Sequence, residues 1–267
     1  MHPLQHPPAV VLMTDFGTGD TYVGQMKGVI LTIAPETRII DLTHAVTPQD
    51  ITEGAFLLER ALPYLPPASI VVAVIDPGVG TSRRAIAVEA GGRRFLAPDN
   101  GLLTTILNMH GCGACVEVTN RQYIAPERSR TFHGRDVFSP AAAHLASGIA
   151  LEALGPALDP AGCMKLAMPG CTALGKGVWE GGVIFADRFG NLVTSIDSSL
   201  AAEEDRWRLV LPDGTALPVQ ETYGNVPEGE PLAYRGSFGT LEVGVRNASA
   251  IERFGLSRGE RIRLERI

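Results

Sequence analysis

A short, fully apolar run rich in β-branched residues constrains the fold of this chain more than any other feature. Residues 70–75 read Ile-Val-Val-Ala-Val-Ile, and they lie between prolines at 63, 66 and 67 and a glycine-rich turn that begins at Asp76. Such a run is typical of a central strand that is buried on both faces of a sheet. Because a sheet of that kind needs helices to cover it, the run predicts an α/β domain.

Strand and helix patterns alternate over roughly the first 160 residues. Strands are predicted at 10–13, 39–40, 70–75, 85–89 and 95–97, the last two around a Gly91-Gly92 turn. Helices are predicted at 23–34, 48–62 and 140–147, and a further helix follows the Asn100-Gly101 step. For the helix at 48–62, Thr47 supplies a capping hydroxyl and Pro48 takes the first helical position. The alternation predicts an α/β N-terminal domain, residues 1–165, with a mostly parallel sheet.

The pattern changes after Lys165. Glycines punctuate the next segment, and short alternating runs replace the helices, at 182–186, 192–196, 208–211, 241–245 and 261–264. Short strands separated by turns are typical of an all-β domain. We therefore expect a small β-barrel over residues 166–267, and a chain of 267 residues is long enough for two domains with cores of their own.

Charge and hydropathy argue against two classes of partner. The formal net charge is −6, whereas a nucleic-acid-binding protein needs a basic surface that neutralises phosphates. No stretch approaches the roughly 20 apolar residues of a membrane-spanning helix. Residues 1–8 lack the basic start and apolar core of a signal peptide. We therefore expect a cytoplasmic protein with neither a nucleic-acid nor a membrane partner.

Two motifs that would indicate a metal or a cofactor are incomplete. Cys112 and Cys115 have the spacing of half a zinc site, but the remaining cysteines, Cys163 and Cys171, do not form a second close pair. Four cysteines in a chain of this length are more simply interpreted as reduced thiols. Gly17-Thr18-Gly19 begins like a dinucleotide fingerprint, but tyrosine occupies position 22, where the third glycine is required. The sequence therefore predicts neither a metal nor a cofactor.

Three residues near strand ends are candidates for a catalytic set. Asp76 and Arg83 lie seven residues apart in the glycine-rich run after the apolar strand, and His133 lies in Thr-Phe-His-Gly-Arg-Asp at 131–136. Open α/β sheets bind ligands at the carboxyl ends of their strands. Taken singly, each residue has a structural explanation: a turn cap, a surface ion pair, a packed histidine. Together they suit proton transfer, with histidine as base, arginine stabilising an ionised water and aspartate orienting.

Other residues are candidates for holding a ligand. Asp15, at the end of the first strand, is suited either to capping its loop or to accepting hydrogen bonds from a ribose diol. The turn 187–191 offers Phe189 and Asn191, which are suited to turn formation or to stacking on a base and bonding its edge. Residues 237–245 are either a plain strand or a backbone edge that a purine could contact.

Several segments together resemble one known family, the S-adenosylmethionine hydroxide adenosyltransferases. These enzymes are also called adenosine-forming S-adenosylmethionine hydrolases, and they are related to the fluorinase and chlorinase. No single segment is specific, but their order and spacing are. The resemblance covers nearly the whole chain and rests on residues 14–17, 22–24, 41–44, 75–84, 98–101, 131–136, 189–191, 221–224 and 237–247.

The resemblance implies an α/β N-terminal domain, a β-barrel C-terminal domain and a homotrimer with active sites between subunits. It implies that Asp76, Arg83 and His133 position and activate water or hydroxide. It also implies substrate contacts: Asp15 to the ribose hydroxyls, Asp187 to the methionine ammonium, Asn191 and the Val245 backbone to adenine, and Ser237 with Glu242 to the methionine end. Phe189 completes the predicted substrate-binding set, and S-adenosylmethionine is the substrate, with no cofactor.

Two alternatives stay open at this stage. A halide-using enzyme of the same fold would make a 5′-halo-5′-deoxyadenosine, but the halogenases carry extra residues after the strand that precedes Asp76, and no insertion is visible here. A non-catalytic sensor would bind adenosine or S-adenosylmethionine without turnover. The preferred interpretation is attack of water at the ribose C5′, which expels methionine as a neutral thioether.

Overall fold

The computed structural model describes residues 7–202 and 205–267. They form two compact units, which divide between Leu166 and Ala167. Each unit has a hydrophobic cluster of its own. Residues 1–6, which belong to the segment without a signal-peptide pattern, lie outside the described residues.

A mixed sheet forms the centre of the N-terminal unit. In the described part of the chain its strands are β1 (Val10–Thr14), β2 (Ile39–Thr43), β3 (Ile70–Val74), β4 (Ala85–Ala90), β5 (Arg93–Pro98) and β6 (Cys115–Glu117), in the order β2-β1-β3-β5-β4-β6. Every residue of β3 is buried, and β3 pairs in parallel with β1 and β5. The prediction of a central strand in the apolar run is therefore confirmed.

The prediction of a mostly parallel sheet is wrong. Strand β4 pairs antiparallel with both β5 and β6. The cause is the hairpin at Gly91 and Gly92, whose φ angles of 54° and 70° reverse the chain between β4 and β5. The sequence signal for this turn is present at residues 91–92, but the alternation of strands and helices elsewhere outweighed it.

Helices cover the sheet. They are α1 (Tyr22–Ile33), α2 (Ile51–Ala61), α3 (Thr104–His110) and α4 (Ser139–Ala146), and a π-helical turn, Gly134–Phe138, runs directly into α4. Helices α1 and α4 pack on each other and share a core cluster with alternate residues of β1 and β3. Helix α2 packs on α3, where Thr105 donates to the Ala55 carbonyl. Among the described residues no helix combines the length and apolar character needed to cross a bilayer.

Helix α2 begins later than the sequence predicts. Asp50, not Thr47, is its N-cap, and the Asp50 carboxylate accepts a hydrogen bond from the Glu53 amide at 2.9 Å. Gln49 has φ of 67°, in the left-handed region, so the helix cannot extend back through it to Pro48. The prediction that Pro48 opens the helix is therefore wrong.

The C-terminal unit is a closed β-barrel with one additional strand. Of its described residues, seven strands close in the order β8-β14-β10-β11-β12-β13-β9, and β9 returns to β8. The strands are β8 (Val178–Ala186), β9 (Leu192–Asp197), β10 (Trp207–Val210), β11 (Ala216–Gln220), β12 (Pro231–Arg235), β13 (Thr240–Val245) and β14 (Arg261–Arg266). Strand β7 (Thr172–Gly175) pairs with β8, and helix α5 (Ala250–Phe254) follows β13. The predicted small barrel is confirmed.

Both tryptophans of the chain lie in this barrel. The Trp179 and Trp207 rings are 5.4 Å apart between centroids, in a tilted arrangement. Trp207 is buried, and its indole N–H donates to the Ala202 carbonyl at 3.0 Å. The indole pair is therefore held by both ring packing and a hydrogen bond.

Candidate functional site

Three side chains from two separate segments of the N-terminal unit lie together beyond the carboxyl end of β3. Arg83 Nε donates to Asp76 Oδ1 at 3.0 Å, and Arg83 Nη2 donates to Asp76 Oδ2. Arg83 Nη2 also lies 2.8 Å from His133 Nδ1. The side chains of Asp76 and Arg83 are only 5% and 10% exposed. The structure thus joins the three predicted catalytic residues in one sheltered, charge-assisted network, here called the nucleophile cluster.

The protonation state of His133 follows from its neighbours. Burial lowers the pKa of His133 below its ordinary value of 6.5, and the positive charge of Arg83 lowers it further against the opposing charge of Asp76. The imidazole is therefore neutral at pH 7. Because a guanidinium can only donate, Nδ1 accepts the hydrogen bond and the proton of the neutral ring is assigned to Nε2.

The loop from Asp76 to Arg83 is shaped by its own short-range bonds. The Val79 amide donates to the Asp76 carbonyl, and the Thr81 hydroxyl donates to the Gly78 carbonyl at 2.7 Å. Gly80 has φ of 79°, and a Cβ placed there would lie 2.7 Å from the Arg130 carbonyl oxygen. A glycine at position 80 therefore lets the loop of Arg83 contact the segment that leads to His133.

Aromatic rings line the region beside the nucleophile cluster. The Arg83 guanidinium lies 5.7 Å from the centre of the Phe138 ring. Phe132, next to His133, packs edge-on against Phe16 and Tyr22 at centroid distances of 5.9 and 5.1 Å. The sequence interpretation gave Phe138 no role, because an apolar residue at a helix start carries no signal until its partner is known.

Asp15 lies at the same edge of the sheet as Asp76. Thr14 pairs in register with Val74 in the parallel strands β1 and β3, so the chain leaves both strands side by side. Asp15 is half-buried, and its Oδ2 accepts a hydrogen bond from the Gln49 amide at 2.7 Å. The carboxylate is therefore fixed by the residue whose left-handed conformation sets the start of α2.

A second group of predicted residues surrounds a cavity of about 760 Å³ in the C-terminal unit, here called the barrel cavity. Its lining contains all six predicted substrate contacts of this unit: Asp187, Phe189, Asn191, Ser237, Glu242 and Val245. Tyr223, Tyr234, Phe238, Asn247 and Ala248 complete it, and none of these was among the predicted site residues. A further cleft of about 820 Å³ in this unit, around Trp207 and Arg235, contains none of the predicted residues.

One wall of the barrel cavity is the turn between β8 and β9. Asp187 Oδ1 accepts from the amides of Phe189 and Asn191, and Oδ2 accepts from the Asn191 side chain, each at 2.9 Å. A turn over residues 187–191, which the sequence allows, is therefore present, with the Asp187 carboxylate as its hydrogen-bond acceptor. Phe189, in the same turn, is 79% exposed and lines the cavity, where a planar ligand could stack on its ring.

Another part of the cavity lining is a buried acid with one oxygen that accepts no hydrogen bond from the described residues. Glu242 is 3% exposed, and its Oε2 accepts from the Tyr234 hydroxyl at 2.6 Å, which in turn accepts from the Tyr223 hydroxyl at 2.6 Å. Glu242 Oε1 has no hydrogen-bond partner among the described residues. Burial raises the pKa of Glu242, and the nearby Asp187 charge raises it further. A cationic donor that reached Oε1 would therefore satisfy a buried acceptor and stabilise its charge.

The cysteines, which the sequence does not predict to form a metal site, are thiols. All four are free thiols, and the sulfurs of Cys115 and Cys163 lie 3.8 Å apart. Burial raises the pKa of Cys115 to about 12, so this thiol is protonated at neutral pH. Across the described residues no cluster of three or more His, Cys, Asp or Glu side chains is placed to hold a metal ion.

Known proteins similar to this chain agree on one family. A model of the SAM hydroxide adenosyltransferase N-terminal domain matches residues 10–155, and a model of the C-terminal domain matches residues 181–263. The (R)-S-adenosyl-L-methionine hydrolase of Thermus thermophilus is 42% identical, over 96% of this chain and 98% of that protein. A fluorinase of an Actinoplanes species is 31% identical, over 93% and 94%.

A solved structure has the same fold. The crystal structure of an uncharacterized conserved protein from Thermotoga maritima superposes with a TM-score of 0.88 at 35% identity. The superposition covers 96% of this chain and 100% of the other. Because the two domain models and the relatives span nearly all of the sequence, the chain belongs to the SAM hydroxide adenosyltransferase family.

Proposed function

We propose that this protein hydrolyses S-adenosyl-L-methionine to adenosine and L-methionine, by in-line attack of water or hydroxide at the ribose C5′. The observation that carries the proposal is the nucleophile cluster, in which one guanidinium donates to both a carboxylate and a neutral imidazole in a sheltered site. The (R)-S-adenosyl-L-methionine hydrolase at 42% identity supports the same activity.

The chemistry requires alignment and activation of the nucleophile. A sulfonium leaves as a neutral thioether, so the leaving group needs no acid, and the main requirement is to hold water in line with the C5′–S bond. The positive charge of Arg83 stabilises hydroxide character on that water. His133 or Asp76 takes the proton that the water loses, and such general base catalysis contributes about 10²–10⁴-fold.

The geometry sets a condition on each of these bases. Nδ1 of His133 accepts from Arg83, so that bond must break before the neutral ring can accept a proton there. Both oxygens of Asp76 also accept from Arg83, and a shift of the guanidinium toward the water frees one of them. In either case Arg83 is the residue that moves between its resting partners and the nucleophile.

The substrate contacts divide between the two units. We assign Phe189 to stacking on adenine, with Asn191 and the Val245 backbone at its edge, and Asp15 to the ribose hydroxyls. Asp187, Ser237 and Glu242 are assigned to the methionine end. The unpartnered Oε1 of Glu242 supports that assignment, because the methionine ammonium is a cationic donor.

Three finer features are part of the proposal. The printed name of the Thermus thermophilus relative specifies the (R) form, so we expect the (R) sulfonium epimer to be the preferred substrate. We also expect a homotrimer whose active sites combine the N-terminal unit of one subunit with the C-terminal unit of the next. A cytoplasmic location fits the four free thiols.

The direct test is to incubate the purified protein with separated (R) and (S) epimers and to chromatograph the products. We expect adenosine and methionine, formed faster from the (R) epimer. Arg83→Ala should abolish the reaction, whereas the exposed Arg121→Ala should not. A faster reaction of the (S) epimer would contradict the stereochemical proposal.

The same assay separates the alternatives. Formation of 5′-chloro-5′-deoxyadenosine when chloride is supplied would identify a halide-using enzyme. Tight adenosine binding by calorimetry with no product after long incubation would identify a sensor. Either result would overturn the proposed hydrolysis.

A further inference from the structure

The segment Pro98-Asp99-Asn100-Gly101 begins at the last residue of β5 and contains two polar residues that the proposed reaction does not use. Asp99 is buried, and Asn100 is half-buried. Both side chains reach backward in the sequence, to residues that flank the loop from Asp76 to Arg83. Their hydrogen bonds are therefore candidates for fixing the shape of that loop.

Asn100 holds the residue before the loop. Its Nδ2 donates to the Ile75 carbonyl at 2.8 Å, and its Oδ1 accepts from the Leu102 amide at 3.2 Å. Because the amide group is bonded at both ends, its orientation is fixed. The carbonyl of the residue immediately before Asp76 is thus bonded to a rigid partner.

Asp99 holds the residue after the loop. Arg84 Nε and Nη2 donate to Asp99 Oδ2 at 2.8 and 2.5 Å, and the Asp99 amide donates to the Arg84 carbonyl at 2.9 Å. Asp99 Oδ1 accepts from the Met164 amide at 2.8 Å. Arg84, the direct neighbour of Arg83, is thereby bonded through both its side chain and its backbone.

The sheet topology explains why one segment reaches both sides of the loop. Strand β5 lies between β3 and β4, parallel to the first and antiparallel to the second. The end of β5 therefore adjoins the end of β3, where the loop begins, and the start of β4, where the loop ends. Ala85, the first residue of β4, pairs in register with Pro98.

We propose that Asp99 and Asn100 are positioning residues that clamp the two ends of the Asp76 to Arg83 loop and so hold Arg83 in contact with both Asp76 and His133. Neither residue touches the substrate in this assignment, and both act through the loop. The inference rests on the proposed role of Arg83 in the hydrolysis. A loop held at one end only would let the guanidinium drift, and misplacement of a reacting group by about 1 Å can cost about 10²-fold in rate.

The chain provides a matched control for each residue. Asn120 makes the same pair of bonds as Asn100, to the Ala153 carbonyl at 2.8 Å and from the Gln122 amide at 3.0 Å, but neither partner flanks the loop from Asp76 to Arg83. Glu265 accepts from Nε and Nη2 of Arg208 through one oxygen, as Asp99 does from Arg84, but in the barrel. Equal structural roles would give equal effects within each pair.

The kinetic experiment compares Asn100→Ala and Asp99→Asn with Asn120→Ala and Glu265→Gln in the full-length protein. We expect the first two to lower kcat by about tenfold to a hundredfold, with KM for S-adenosylmethionine changed by less than about twofold, because the substrate contacts are elsewhere. The controls should leave both constants unchanged. Effects of the same size within each pair would overturn the proposal.

A second measurement does not depend on activity. The charged groups that act on the imidazole of His133 are Arg83, Asp76, Arg128 and Asp136, and after burial Arg83 is the largest cause that lowers its pKa. If Arg83 drifts, His133 should titrate at a higher pH in Asn100→Ala and Asp99→Asn than in the wild type, as followed by NMR of labelled histidine. If the pKa of His133 were the same in both variants as in the wild type, the proposal would be overturned.

The two readouts separate the failure of this inference from the failure of the proposed function. A wild-type protein that forms no adenosine contradicts the hydrolysis, while the His133 titration still tests the clamp. If Asn100→Ala does not fold, Asn100→Ser and Arg84→Lys replace it in the experiment, because each keeps a polar side chain at its position. The same titration shift is expected in both.

Discussion

Arg83 has more partners in the nucleophile cluster than any other residue of the proposed catalytic set. Its planar guanidinium donates to two oxygens of Asp76 and to one nitrogen of His133 at the same time. A lysine ammonium carries the same charge, but it is a compact donor that cannot reproduce this fixed fork. The geometry of the donors, and not the charge alone, is therefore expected to matter for the rate.

Arg83→Lys tests this expectation. We expect kcat to fall by about a hundredfold, because Lys retains the charge but loses the simultaneous contacts that hold the nucleophile in line. Steady-state measurement of adenosine release gives kcat and KM separately. Arg121→Lys, an exposed substitution of the same kind, should leave both unchanged. A kcat for Arg83→Lys within about threefold of the wild type would mean that charge alone suffices.

The pH dependence of the reaction should report His133. Burial and then Arg83 lower the pKa of His133 below 6.5, so the ring stays neutral at pH 7 and is protonated only at a pH below 6.5. We expect kcat/KM to be constant near neutral pH and to fall on the acid side, with an apparent pKa below 6.5. Burial also lowers the pKa of His144, so His144→Gln is the control and should keep the same acid limb. An acid limb above 6.5 would contradict the assignment.

The sequence predicted the titratable residues of the nucleophile cluster and of the barrel cavity. It did not predict Phe138 beside Arg83, or the two tyrosine hydroxyls beside Glu242. Asp, Arg and His next to strand ends give a chemical signal that can be weighed before any contact is known. Tyr223 and Tyr234 gave no such signal, because a tyrosine is as common in the core of a barrel as in a binding site. Their contribution depends on a chain of hydroxyl bonds to Glu242 that only the fold reveals.

Among the elements, the loop between β3 and β4 depends on the backbone conformation of one glycine. Gly80 combines a positive φ with close contact to the Arg130 carbonyl. Gly92, in the hairpin between β4 and β5, has a similar φ of 70° but open space where a Cβ would lie. Comparing alanine substitutions at the two glycines therefore separates the free-energy cost of the left-handed conformation from that of the contact with the Arg130 carbonyl.

Gly80→Ala should destabilise the N-terminal unit more than Gly92→Ala does. Each substitution places alanine in the left-handed region at about 1–2 kcal/mol, and Gly80→Ala adds a clash with the Arg130 carbonyl. Urea unfolding of both variants measures the difference. We also expect kcat to fall only in Gly80→Ala, since only that loop carries Arg83. Equal stabilities and equal rates would show that the Arg130 contact does not shape the loop.

Strong periodic or apolar patterns predicted the elements well, and short or mixed ones did not. Strand β3 and helix α1 follow from their apolar residues alone. Strands β11 and β12 were missed, since Pro218 and Pro231 lie within them and prolines argue against strands. The start of α2 was misplaced because Thr47 and Asp50, only three residues apart, are both suited to cap the helix. Only the backbone conformation of Gln49 decides between them.

For the whole molecule, the proposed contacts are distributed over two units with separate cores. The nucleophile cluster and Asp15 belong to the N-terminal unit, and the barrel cavity belongs to the C-terminal unit. The sequence predicted both halves through the change of pattern after Lys165. It could not derive the assembly of subunits from the pattern, because surfaces that meet between copies carry no periodic signal; the homotrimer remains a proposal.

Mixed assemblies test that proposal. In a homotrimer with shared sites, Arg83→Ala chains supply an intact barrel cavity and Asn191→Ala chains supply an intact nucleophile cluster. Co-assembly should then restore roughly a quarter of the wild-type sites by random mixing, measured at low substrate concentration. Light scattering should give three times the 28.4 kDa mass of one chain. If trimers verified to contain both variants showed no gain in activity, each site would lie within one chain.

The pair of indoles in the barrel gives the protein an optical probe of only one half of itself. Trp179 and Trp207 are the chain's two tryptophans, and both belong to the C-terminal unit. Tryptophan emission during denaturation therefore follows the barrel alone, while far-ultraviolet circular dichroism at helix wavelengths follows mainly the α/β unit. Coinciding transitions would mean that the two units unfold cooperatively, and separate transitions would assign an independent stability to each.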